Sequence, residues 1–87
     1  MAVVFIPPLV RDLTNGVDRV ELEAKSVRQV INELDERFPG VRERLCQDDE
    51  LRPGLSVSVA GTISSMGLYQ RLDASAEVHF IPAIGGG

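Results

Sequence analysis

The chain has 87 residues, 44% of them hydrophobic and 25% charged, which makes one small globular domain with a modest core. Thirteen acidic residues against nine basic ones leave a net charge of −4, which argues against a nucleic-acid surface and an anionic membrane surface. The single cysteine, Cys46, excludes an internal disulfide and fits a reducing compartment, so a cytoplasmic location is expected. Met1-Ala-Val-Val-Phe5 lacks the basic region that opens a signal peptide, and no apolar run is long enough to span a bilayer.

Residues 2–6, Ala-Val-Val-Phe-Ile, are rich in β-formers and predict a first strand that Pro7-Pro8 closes. Asn15-Gly16 is a turn signal because both positions tolerate positive φ. Residues 17–24 then predict a second strand, with Val20, Leu22 and Ala24 inward and Arg19, Glu21 and Glu23 outward.

Ser26 is the expected helix N-cap, with Gln29 at capping-box spacing. Val27, Val30, Ile31, Leu34 and Phe38 recur at helical spacing, and Arg28, Glu33, Asp35, Glu36 and Arg37 fill the other face. Pro39-Gly40 stops the helix. Residues 41–46 predict a further helical turn with Val41 and Leu45 on one side, and residues 47–54 an acidic loop. Leu55-Ser-Val-Ser-Val-Ala60 alternates, with Leu55, Val57 and Val59 inward, and Gly61 turns the chain into a short edge strand at Thr62-Ile63. Residues 64–75 read as irregular, with Leu68 and Leu72 plugging the core. Residues 76–81 form the last strand, and Pro82, lacking an N–H, ends its ladder.

Strand, strand, helix, strand, short strand, strand is an α+β order: one amphipathic helix across one face of a mixed sheet of four to five strands. Residues 1–82 are read as the domain, and residues 83–87, Ala-Ile-Gly-Gly-Gly, as a flexible tail.

Few side chains suggest catalysis. His79, the one histidine, lies on the outward phase of the last strand with no second ligand at metal-binding spacing, so no metal site is expected. Cys46 has no neighbouring histidine to activate it, and no motif pairs it with His79. Glycine-rich phosphate loops and calcium-loop spacing are absent from the sequence. An autonomous enzyme is not expected, and neither is a bound cofactor.

The helix pattern Val27-x-x-Val30-Ile31-x-x-Leu34 followed by Phe38-Pro39-Gly40, then Val57-x-Val59-x-Gly61, Gly67-Leu68 and the block Glu77-Val78-x-Phe80-Ile81-Pro82-Ala83-Ile84-Gly85-Gly86-Gly87, resembles the MoaD/ThiS sulfur carriers. These are ubiquitin-like β-grasp proteins. Ile6-Pro7-Pro8-Leu9-Val10-Arg11 and the Pro-Ala-Ile before the glycines are similar to the CysO-type branch, whose carriers serve cysteine synthesis. Three departures stand out: a third terminal glycine, Ala74-Ser75-Ala76 in place of an Asp-Gly-Asp turn, and Ala60-Gly61 in place of Asn-Gly.

The resemblance implies that the Gly87 carboxylate is adenylated by an activating enzyme that uses ATP. A sulfur donor then converts it to a thiocarboxylate, which a downstream synthase consumes. Molybdopterin, thiazole (thiamine) and cysteine synthesis are all open as acceptor pathways. Five residues after Pro82 extend about 15 Å, so Gly85 and Gly86 would thread the partner's channel with Ile84 behind them. Val3, Phe5, His79 and Ile81 are expected on the helix-free side of the sheet as the docking patch. The alternative of another class is a ubiquitin-like modifier, joined through the same glycine to lysines of other proteins.

Overall fold

The computed structural model describes residues 1–82, and Ala83 to Gly87 lie outside the described residues. Five strands form one mixed sheet: β1 (Ala2–Phe5), β2 (Arg19–Leu22), β5 (Leu55–Val59), β6 (Thr62–Ile63) and β7 (Glu77–Pro82), in the order β2-β1-β7-β5-β6. The ladder between β1 and β7 is parallel, with Val4 opposite Val78, and the other pairings are antiparallel. The first and last strands are therefore the sheet's centre. Helix α1 (Val27–Arg37) packs on one face, followed by the short helix α2 (Val41–Leu45).

The core lies between this face and the helices. Val4, Val57, Val78 and Phe80 from the strands and Ile6 just after β1 meet Val27, Val30, Ile31 and Leu34 from α1 and Val41 and Leu45 from α2. Ser26 caps α1 by accepting from the Gln29 amide at 3.2 Å. The Gln29 side chain reciprocates on the Lys25 amide at 2.8 Å, one residue before its capping-box target. The helix stops where Gly40 takes φ +103°, and the Asp35 carboxylate accepts from the Gly40 and Arg42 amides.

Several boundaries move. β2 is shorter than the expected 17–24, because Val17 and Asp18 belong to the turn that brings the Val17 amide to the Thr14 carbonyl at 3.0 Å. Asn15 (φ +54°) and Gly16 (φ +82°) form that turn as expected. The expected acidic loop at 47–54 is instead a small hairpin, β3 (Cys46–Gln47) and β4 (Glu50–Leu51), turned at Asp48 and Asp49 with φ of +52° and +62°. Aspartate tolerates this region better than most residues, and Asp49 is held there by a bidentate bond from Arg28, at 2.7 and 2.9 Å. Arg42 approaches the same carboxylate at 3.6 Å. Residues 64–75 are mostly irregular as expected, with a single 3-10 turn at Gly67–Tyr69 that buries Leu68, while Leu72 is half-buried against the core.

Two outcomes can be measured. Ala60 sits at φ +52° before Gly61 in the β5–β6 turn, a position that costs an alanine about 1 kcal/mol. Ala60→Asn should stabilise the protein by about 0.5–1 kcal/mol in urea unfolding, since Asn-Gly suits this turn. The Arg28 guanidinium beside Asp49 holds its carboxyl below the usual carboxylate range. The stability from this pair is therefore present above about pH 4 and lost as pH falls through the lowered value. Asp49→Asn and wild type should differ at neutral pH, and the gap should shrink as pH falls through the lowered value.

Candidate functional site

β7 carries the chain out of the sheet. Val78 and Phe80 point into the core, and Glu77, His79 and Ile81 point to the opposite, helix-free face. Pro82 does not fall outside the ladder as expected: it is the last strand residue, opposite Leu55 at the start of β5. A proline is admissible there because a terminal strand position leaves its missing N–H without consequence. The root of the residue 83–87 segment is thus a strand paired on both sides over part of its length.

The strand registers assemble the helix-free face row by row. One row runs through all five strands: Arg19 of β2 opposite Phe5, Phe5 opposite His79, His79 opposite Ser58, and Ser58 opposite Ile63. Phe5 and His79 stack with ring centroids 4.3 Å apart and planes 6° from parallel. The Arg19 guanidinium lies over the Phe5 ring at 6.0 Å. The preceding row is Glu21, Val3 and Glu77, and the following one is Ile81 with Ser56. His79 Nε2 lies 3.7 Å from Glu77 Oε1, an ion pair only when the imidazole is protonated.

Val3, Phe5, His79 and Ile81 therefore share one side of the sheet. Val3, Phe5 and His79 are half-buried by one another, and Ile81 is 37% exposed. Ser58 was expected to face outward. It does, but only 7% of it is exposed, because it is flanked by His79 on one side and Ile63 on the other. Arg19 was not among the expected site residues. The outward phase of Arg19 and of Phe5 was visible in the sequence, but that they lie opposite each other was not. Ile84, Gly85, Gly86 and Gly87 lie outside the described residues.

Cys46 and His79 are not brought together: Cys46 packs against the core on the helix side, and burial pushes its thiol up. Among the described residues no group of three or more potential metal ligands occurs. No helix among them is long and apolar enough to cross a membrane.

The ThiS family model matches residues 3–87. The chain belongs to the ThiS family. Solved structures agree: CysO in the Amycolatopsis orientalis BexX/CysO complex is 27% identical with a TM-score of 0.90, each chain covered in full. Mycobacterium tuberculosis CysO is 25% identical with a TM-score of 0.86, over 97% of this chain and all of that one. Small archaeal modifier protein 1 from Methanosarcina acetivorans, 19% identical over 99% of this chain and 95% of that one, shares the fold with a TM-score of 0.79. No curated protein sequence matches the chain. The fold is the ubiquitin-like β-grasp, the branch is CysO-like, and the protein is a ubiquitin-like sulfur carrier.

The half-exposure of Phe5 and Ile81 has a direct consequence. The double substitution Phe5→Ser, Ile81→Ser should leave a cooperatively folded protein whose circular dichroism spectrum matches wild type. An unfolded variant would mean that the stacked row supports the core.

Proposed function

We propose that this ThiS-family protein carries sulfur on the C-terminal carboxylate of Gly87. The observation that carries the reading is that β7, fixed in the middle of a β-grasp sheet, leads straight into Ala-Ile-Gly-Gly-Gly, within a family match that runs through residue 87. A carboxylate is a poor acyl donor until one oxygen becomes a good leaving group. In the proposed cycle an activating enzyme supplies that step: a Gly87 carboxylate oxygen attacks the α-phosphorus of ATP, and pyrophosphate leaves. A sulfide equivalent then attacks the acyl carbon, AMP departs, and Gly87 ends as a thiocarboxylate. A downstream synthase takes the sulfur.

The carrier's own contribution is presentation. The absence of side chains at Gly85 and Gly86 suits a channel too narrow for other residues, and Ile84 marks where the segment widens. The helix-free patch of Val3 and Phe5 on β1 and His79 and Ile81 on β7, the strand that leads into the glycines, is the proposed grip of the activating enzyme. ATP belongs to that enzyme, and this chain binds no cofactor of its own in the cycle. The BexX/CysO complex records a relative of this chain assembled with another protein, which supports a role exercised through partners.

Incubation with its activating enzyme, ATP and a sulfur source should raise the intact mass by one oxygen-to-sulfur exchange. If a protease first trims one glycine, the exchanged species ends at Gly86. The likeness to small archaeal modifier protein 1 is one of fold, and the modifier alternative predicts isopeptide-linked adducts on lysines in cell lysate instead of free thiocarboxylate. Deleting Gly86 and Gly87 should abolish adenylation while leaving the melting midpoint within about a degree, since the core described above is complete by Phe80.

A further inference from the structure

The helix-free face is polarised along its strands. At the end where β7 begins, Glu21 and Glu77 flank Val3. At the end where β7 runs out to Pro82, the row starts with Arg19 and continues through Phe5 and His79, with Ile81 beyond. Arg11 stands beside Arg19 in a shallow cleft that Phe5, Ile6 and Asp18 complete. Arg11 Nη2 is held by the Ile6 carbonyl at 2.6 Å. Two guanidinium groups against one carboxylate leave this corner basic on a chain whose net charge is −4.

Arg28, Arg42 and Arg44 each meet an aspartate within 4 Å, whereas Arg19, like Arg11, Arg37, Arg52 and Arg71, meets no carboxylate at that distance among the described residues. Its guanidinium instead lies over Phe5. A guanidinium lying on an aromatic ring still presents its N–H edge, and that edge fits a carboxylate in a bidentate fork.

We infer that Arg19 is a specificity-determining contact. The face takes a partner surface with a carboxylate opposite Arg19 and apolar side chains opposite Phe5 and Ile81. The inference rests on the carrier reading, and the occupant is the activating enzyme of that reading. The polarity gives the encounter a direction. An acidic partner surface is drawn to the Arg11–Arg19 corner and repelled by Glu21 and Glu77, so the end of the sheet that bears residues 83–87 meets the enzyme first. A neutral partner surface would have no such preference, and a basic one would be drawn to the acidic end instead.

The test uses the full chain, its activating enzyme and ATP, with pyrophosphate release as the readout. Wild type, Arg19→Ala, Arg19→Glu and, as a control at the other end of the face, Glu21→Lys are compared at about 0.05 M and 0.5 M salt, which bracket strong and weak screening. Arg19→Glu should raise the KM for the carrier about tenfold or more at low salt with kcat within about twofold, and the gap should shrink at high salt. Arg19→Ala should fall between, and Glu21→Lys should not raise KM. Arg19 is exposed on an edge strand, so all variants should melt as wild type does. An unchanged KM for Arg19→Glu at both salts, alongside normal adenylation of wild type, overturns the acidic-partner inference and leaves the carrier reading intact. A salt-independent loss that falls on kcat overturns it as well. If wild type itself is not adenylated, the carrier reading fails, and the inference with it.

Discussion

The parallel ladder between β1 and β7 joins the beginning of the described chain to its end. Val4 and Val78 sit opposite each other on it, both fully buried under the apolar stripe of α1. The rest of this five-stranded sheet is attached to that pair of strands: β2 pairs with the outer edge of β1, β5 with the outer edge of β7, and β6 with β5. Because the contact spans nearly the whole sequence, closing it carries a large loop entropy that only the packed core offsets. The geometry also means that the segment bearing the glycines is rooted in the most constrained strand of the sheet.

In the proposed cycle, that placement lets a small chain with few reactive side chains take part in acyl and sulfur chemistry. The reacting group need not be assembled by the fold; it need only be presented at a defined place relative to a docking face. β7 does both, since alternation along one strand puts Val78 and Phe80 into the core and His79 and Ile81 onto the open face. A partner that recognises the open face therefore reads the position of the strand's exit. On that face Phe5 and His79 stack on each other, with the Arg19 guanidinium over Phe5. The ion pairs of the opposite side, Arg28 with Asp49 and Arg44 with Asp12, are exposed and hold loops to helices without taking part in this face.

The elements that the sequence by itself determined are those whose signals lie within a few residues. The Ser26 cap, the Val27-Val30-Ile31-Leu34 stripe and the Pro39-Gly40 stop gave α1 to within a residue, because capping and helical periodicity are set by neighbours three and four apart. Alternation likewise assigned the inward phase of Val57 and Val78, and Asn15-Gly16 marked a turn through its tolerance of positive φ. The resemblance of the glycine-ended block to the ThiS family was legible for the same reason: it is contiguous.

What only the tertiary structure decided depends on register between strands far apart in the chain. Neither Arg19, Phe5, His79 nor Ser58 carries a local sign that it will lie in one row, since each needs its neighbour strand to set the pairing. Ser58 has the outward phase of its strand, and its burial comes from the two side chains that the neighbouring strands place beside it. The Cys46–Leu51 hairpin was hidden for a related reason. Asp48 and Asp49 read as solvated loop residues until Arg28, on a helix twenty-one residues earlier, binds the Asp49 carboxylate and makes a left-handed turn there affordable. Local sequence specifies the shape of each element, whereas the contacts that turn one face of the sheet into a charged and aromatic surface are set when β1 and β7 pair.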